Sequence, residues 1–148
     1  MLSISHSATG AFLATALPNP IIYIPLIIAS HYLEDWIPHW DVGTGLSTGK
    51  RKRSHAIILE LGELLISGVI IYIWWQAGHA TLNVHAWAGA FFGLLPDFVE
   101  APRNFLHFEP WFIKPFNRLH GMFHHSTPNM VLGLAPQVLV LIAVGLMR

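Results

Sequence analysis

The sequence predicts an all-α integral membrane protein. About five membrane-associated helices are joined by short loops, with an interfacial segment before the last helix. Three observations carry that expectation. Apolar residues make up 53% of the 148-residue chain and charged residues only 11%, against about 25% charged in an ordinary soluble domain. The apolar residues fall in runs punctuated by proline, glycine and polar clusters. A chain this short has a high ratio of surface to volume, so much of that apolar surface must face something other than water. The length allows one domain, residues 1–148.

The first apolar segment runs from Ser5 to Leu17, is rich in Ala and Gly, and closes at Pro18-Asn19-Pro20. Ala14-Thr15-Ala16 imitates a signal-peptide cleavage site. The residues before it hold no Lys or Arg and include His6, which predicts no cleavage. The second segment runs from Ile21 to Trp36, with Pro25 in its first turns and Pro38 ending it. A glycine-containing loop from Asp41 to Ser54 carries the basic run Lys50-Arg51-Lys52-Arg53.

The third segment, His55 to Gln76, is long enough at about 1.5 Å per residue to cross a hydrocarbon core of about 30 Å. Tyr72, Trp74 and Trp75 form an aromatic belt at its far end. The fourth runs from Val84 to Leu95, and Pro96 is expected to end it. Asp97 to Pro128 reads as loops and short interfacial helices. Met130 to Met147 is the last apolar segment, with Pro136 a potential kink. Gly62, Gly68, Gly89 and Gly93 are expected where helices approach closely.

Net charge is zero, so no overall basic field recruits nucleic acid, and membrane lipids are the expected partners. Lys and Arg concentrate in the Lys50–Arg53 loop and at Arg103, Lys114 and Arg118. The positive-inside rule puts both regions in the cytoplasm, the amino terminus with them and the carboxyl terminus outside.

That orientation collects the ionisable residues on one side. The chain has ten His and eight acidic residues but no Cys, so a metal site must use imidazole and oxygen donors. His31 and Asp35 share one helix face at a spacing of four. Asp35, His39 and Asp41 follow around the Pro38 break. Asp97 and Glu100 lie at the expected end of segment four, and His120 and His124 share a face if their stretch is helical. Ionisable groups in or near a span are costly unless paired or functional. A His–Asp bond that only packs two helices, an interfacial histidine cluster, or a capping role for Asp97 would each explain part of this pattern. Glu60 and Glu63 share a face inside segment three, as ligands, orienting groups or partners of basic residues.

Weak repetition links His6…Gly10 with His85…Gly89, each preceding a proline-and-acid motif. The elements His6-x-x-x-Gly10, Leu94-Leu95-Pro96-Asp97 with Glu100, and His120…His124-His125-Ser126 together resemble the small bacterial inner-membrane proteins described as membrane-bound metal-dependent hydrolases. The resemblance covers most of the chain through short motifs. Members of that family have an early His, a Leu-Pro-Asp-x-Asp helix end and a His-Arg-x-x-Thr-His-Ser stretch. Here Glu100 replaces a nearer second acid, the 120–126 stretch has no Arg, and Asp35…His39…Asp41 is additional.

The resemblance implies a metal-dependent hydrolase of the cell inner membrane, with its site at the cytoplasmic interface and a lipid-like or phosphoester substrate. His6, Asp35, His39, Asp41, Asp97, His120 and His124 are the expected ligands of a divalent zinc, manganese or iron ion. His31, Glu63, Glu100 and His125 are alternative or supporting ligands, and Arg103, Lys114 and Arg118 would hold an anionic headgroup. The alternative is a protein that binds or transports metal ions or protons without hydrolysis.

Overall fold

The computed structural model describes residues 1–148, which form six α-helices and no sheet. They are α1 (Ser3–Ala16), α2 (Pro20–Trp36), α3 (Arg53–Ile71), α4 (Val84–Leu106), α5 (Lys114–Phe123) and α6 (Met130–Met147). A π-helical turn, Tyr72–Gln76, prolongs α3. Asparagine starts three of the helices. The side-chain oxygens of Asn19, Asn83 and Asn129 accept from the N–H groups of Ile21, Ala86 and Leu132 at 3.0, 3.2 and 3.1 Å. Each satisfies a donor that the first helical turn leaves free.

Helix α4 departs from expectation. It does not stop at Pro96 but runs through Pro96 and Pro102 to Leu106, where His107 ends it in the left-handed region at φ 54°. Proline inside a helix costs about 3 kcal/mol through a lost hydrogen bond and a clash with the preceding turn. Packing of the continuation opposes that cost, because Pro96 is itself buried and Glu100, one turn on, is buried against His120. Asp97 and Glu100 therefore stand on a continuous helix rather than in a loop.

The central contact is between α1 and α4. A Cβ added at Gly10 would strike the Gly89 carbonyl, one at Gly89 the Gly10 carbonyl, and one at Gly93 the His6 carbonyl. Ala8, Ala11, Ala86 and Ala90 continue this small-residue seam, with Ile71, Trp75 and Val144 closing around it. The two weakly repeated motifs thus meet through their glycines. Their histidines do not match: His85 lies edge-on to Tyr23, with ring centroids 6.0 Å apart, while His6 is buried among polar groups. Gly62 and Gly68 correct a second expectation, since a Cβ at either meets nothing. They lie on parts of α3 that no other helix covers.

Two helical stretches, Arg53–Gln76 and Met130–Met147, are long and apolar enough to cross a membrane, and few of their residues are buried against protein. Five complete spans are not supported. Helix α1, with 14 residues, reaches about 21 Å and α2, with 17, about 26 Å. Both fall short of a core of about 30 Å. Helix α4 is longer but carries Asp97, Glu100 and Arg103. The chain direction leaves two distinct ends. At one, Arg53 contacts His107; at the other, Arg148 donates to the Trp74 carbonyl at 3.0 Å and its guanidinium lies over the Trp74 ring.

The α1–α4 seam yields a stability test. Gly89→Val should destabilise the protein by about 1–3 kcal/mol, because backbone must move to admit the side chain. Gly62→Ala should be neutral or stabilising by up to about 1 kcal/mol, because it removes unfolded-chain freedom at an open position. Thermal unfolding of both variants in detergent checks the contrast.

Candidate metal centre

Asp35, on the last turn of α2, is completely buried. His31 precedes it by one turn of α2, and His39 follows just beyond the helix end. Helix α4 brings Asp97, α5 brings His120, and the α5–α6 connection brings His124. The result is two donor groups that share Asp35: His31, Asp35, Asp97 and His120 in one, and Asp35, His39 and His124 in the other. Within each group the donor atoms lie within 4.8 Å of one another.

The first group is the more complete. His120 Nε2 lies 2.9 Å and His31 Nε2 3.4 Å from Asp35 Oδ2. Asp97 Oδ1 lies 3.6 Å from both imidazole nitrogens, which are 3.4 Å apart. Four donors placed tetrahedrally about 2.0–2.1 Å from a zinc ion would be about 3.4 Å apart. The donor chemistry and spacing therefore fit a small divalent cation.

Hydrogen bonds on the far side of the rings support this use. The Gly93 carbonyl lies 2.8 Å from His31 Nδ1, and the Ile37 carbonyl 2.8 Å from His39 Nδ1. An Nδ1–H donated to a carbonyl leaves Nε2 as a lone-pair donor facing the centre. Glu100 Oε2 stands 3.2 Å from His120 Nδ1. His6 stacks on His31 with centroids 3.9 Å apart, and its Nε2 lies 3.1 Å from Asp35 Oδ1. The Met1 amino group also ion-pairs with Asp35 and is 2.9 Å from His6 Nε2.

Backbone bonding fixes the second group. His125 N–H donates to the Asp35 carbonyl at 3.0 Å, His39 N–H to the His125 carbonyl at 3.0 Å, and Thr127 N–H to the His39 carbonyl at 2.7 Å. This short ladder holds the chain after α5 against the chain after α2. It sets His39 Nε2 3.2 Å from His124 Nε2.

A cavity of about 670 Å³ adjoins the centre, between α3, α4 and the loop after Asp41. Asp41, Asp97, His124, Glu60, Glu63 and Arg103 supply polar lining, while Ile57, Leu61, Leu64, Phe98 and Phe105 supply apolar lining.

The expected site residues divide accordingly. His6, Asp35, His39, Asp41, Asp97, His120 and His124 come together, and His31 joins the first donor group directly. Glu100 sits behind His120. Glu63 stands apart from both donor groups, accepting from Ser3 N–H at 3.1 Å. His125 is exposed and its ring bonds the Trp36 carbonyl at 3.0 Å, so it contributes backbone to the ladder instead of a donor. Of the three expected headgroup cations only Arg103 lines the cavity, where it pairs with Glu100. Lys114 and Arg118 are exposed on α5, outside the cavity lining.

Ser3 and Gln137 escaped the sequence reading, and Glu34, which falls with the polar residues at the end of segment two, has no site role in it. Glu34 Oε2 lies 2.9 Å from His6 Nδ1, and Ser3 Oγ donates to Glu60 at 2.6 Å. Gln137 on α6 accepts from Leu2 N–H at 2.6 Å and donates to the Trp40 carbonyl at 2.7 Å. Gln137, as a polar residue inside an apolar run, was the one detectable signal. Glu34 and Ser3 acquire their roles only through contacts with distant helices.

Charge is concentrated here. Burial opposes the charged form of His120, but Asp35 and Glu100 outweigh it and raise its pKa to about 10. Burial likewise disfavours ionised Asp41, yet His124 and His39 hold its carboxyl well below the ordinary range. His124 is displaced upward against burial, chiefly by Asp41.

Comparison with family profiles, curated proteins and solved structures yields no match.

The raised His120 value predicts a pH dependence of the metal-free protein. A folded-state pKa above the unfolded value of about 6.5 stabilises the fold fully below that pH. The contribution disappears as pH rises through about 10. Thermal stability of chelator-treated protein should therefore fall between about pH 7 and 10. His120→Gln should flatten part of that slope, with His6, raised against burial to about 9 by Asp35 and Glu34, and His124 accounting for much of the remainder.

Proposed function

We propose that the chain is a metal-dependent hydrolase acting at the cytoplasmic membrane interface on a lipid-like or phosphoester substrate. The observation that carries this reading is the four-donor group His31–Asp35–Asp97–His120 at the wall of the cavity. Asp97 is the donor that reaches the cavity, with 29% of its side chain exposed, whereas Asp35 and His31 are closed off. Structural polar packing alone needs no such opening.

A bound divalent ion would acidify a water and polarise a phosphoryl or carbonyl oxygen. The protein's residues do the rest. His31 and His120 are held by Gly93 and Glu100 so that their Nε2 atoms face inward. Asp97 and His124 present polar atoms to a substrate in the cavity. Arg103, at the same wall, offers a cation to an anionic group, although Glu100 competes for it. Phe98, Phe105, Ile57 and Leu61 provide an apolar surface suited to the chain of an amphiphile.

The same reading places the basic loop and the end of α4 in the cytoplasm, as the Lys and Arg bias requires. Contact between Arg53 and His107 supports a common side for them, and the Arg148–Trp74 contact supports the opposite side for the carboxyl end. A reporter fused after Arg148 should read as external, and a cytoplasmic signal would reverse the orientation.

Hydrolysis has its own test. Purified protein in mixed micelles should release product from an amphiphilic phosphoester, lose at least about 100-fold of that rate on chelation, and recover when zinc or manganese is restored. Asp97→Asn should lose a similar factor. Metal uptake by proteoliposomes without any turnover would instead identify a binding or transport protein.

A further inference from the structure

We propose that the centre holds two metal ions bridged by the carboxylate of Asp35. The inference rests on the metal-binding part of the preceding reading and adds a second site. Asp35 Oδ2 belongs to the first group, 2.9 Å from His120 Nε2 and 3.4 Å from His31 Nε2. Its other oxygen, Oδ1, faces the second group, 3.6 Å from His39 Nε2. His124 Nε2 is 3.2 Å from His39 Nε2, and Asp41 Oδ2 is 3.2 Å from His124 Nε2 and 3.4 Å from His39 Nε2. These spacings approach the separation of about 3.4 Å expected between tetrahedral donors around one small ion.

Asp41 supplies the independent observation. It is only 5% exposed; Oδ1 has no hydrogen-bond partner, and Oδ2 faces the imidazole nitrogens of His39 and His124. A buried carboxylate facing imidazole nitrogens is costly unless those rings are protonated or a cation lies between them. The His39 and His124 nitrogens that approach Asp41 also approach each other, an arrangement suited to converging on a cation.

Both groups open onto one space. Asp97 from the first and Asp41 and His124 from the second all line the cavity. One substrate oxyanion could therefore meet both ions, as in paired-metal hydrolysis of phosphoesters. His6 faces the Oδ1 side of the bridge and stacks on His31, so it orients Asp35; the Met1 amino group meets the same oxygen.

The test is metal stoichiometry. Full-length protein in detergent, saturated with zinc and then desalted, should retain two ions per chain by elemental analysis. His39→Ala combined with His124→Ala should retain one. With manganese, the wild-type paramagnetic resonance spectrum should show a coupled pair, and the double variant the six-line pattern of an isolated ion.

One ion per saturated wild-type chain would overturn the second site and leave a mononuclear hydrolase standing. An uncoupled wild-type manganese spectrum at two ions per chain would overturn the Asp35 bridge. Two ions retained by the double variant would overturn the assignment to His39 and His124, and no retained metal would remove both readings. Two ions that fall to one in the double variant, without turnover of any phosphoester, would sustain the paired site while rejecting hydrolysis.

Discussion

A completely buried carboxylate at Asp35 is the constraint around which the molecule is arranged. An ionised group removed from water requires compensation from fixed partners. Asp35 obtains it from every direction: His31 and His39 along its own chain, His6 from α1, and His120 from α5. No one helix could supply these groups. The fold therefore has to bring several helix ends to one point, and the glycine seam between α1 and α4 makes that possible. Bulkier residues at Gly10, Gly89 or Gly93 would hold His6 and Asp97 on helices too far apart to flank Asp35.

Irregular backbone is the second requirement. Non-helical segments near a membrane must have their N–H and C=O groups satisfied within the protein. The stretches after α2 and after α5 satisfy one another through the Asp35, His39, His125 and Thr127 ladder. Gln137 then ties this region to α6, taking the Trp40 carbonyl and the Leu2 amide. An otherwise apolar helix thus contributes to the polar centre without carrying a charged side chain.

Local chemistry explains what was legible in the sequence. Proline punctuation and apolar runs mark α1, α2, α3 and α6 to within a few residues, because each signal acts locally. The same reasoning stopped α4 too early, since the burial of Pro96 and of Glu100 against His120 is invisible in the local sequence. His31 and Asp35 could be paired from their spacing, but the spacing does not reveal that His31 stands beside Asp97 and His120. Glycines at 62 and 89 look alike in sequence; only one has a neighbouring helix. Lys114 and Arg118 carried suitable charge but lie on the outer face of α5, a distinction set by how that short helix docks.

The way donors are distributed along the chain has a consequence for biosynthesis. His31 and Asp35 emerge early, Asp97 much later, and His120 and His124 later still. A nascent chain halted after α4 has only half of the donor set and leaves Asp35 without its neighbour from α5, His120. Capture of metal during synthesis would therefore be delayed until α5 and the following turn have been made. Since His125 and Thr127 then lock that turn onto the end of α2, any ion held by these donors would be enclosed only as the last connection closes.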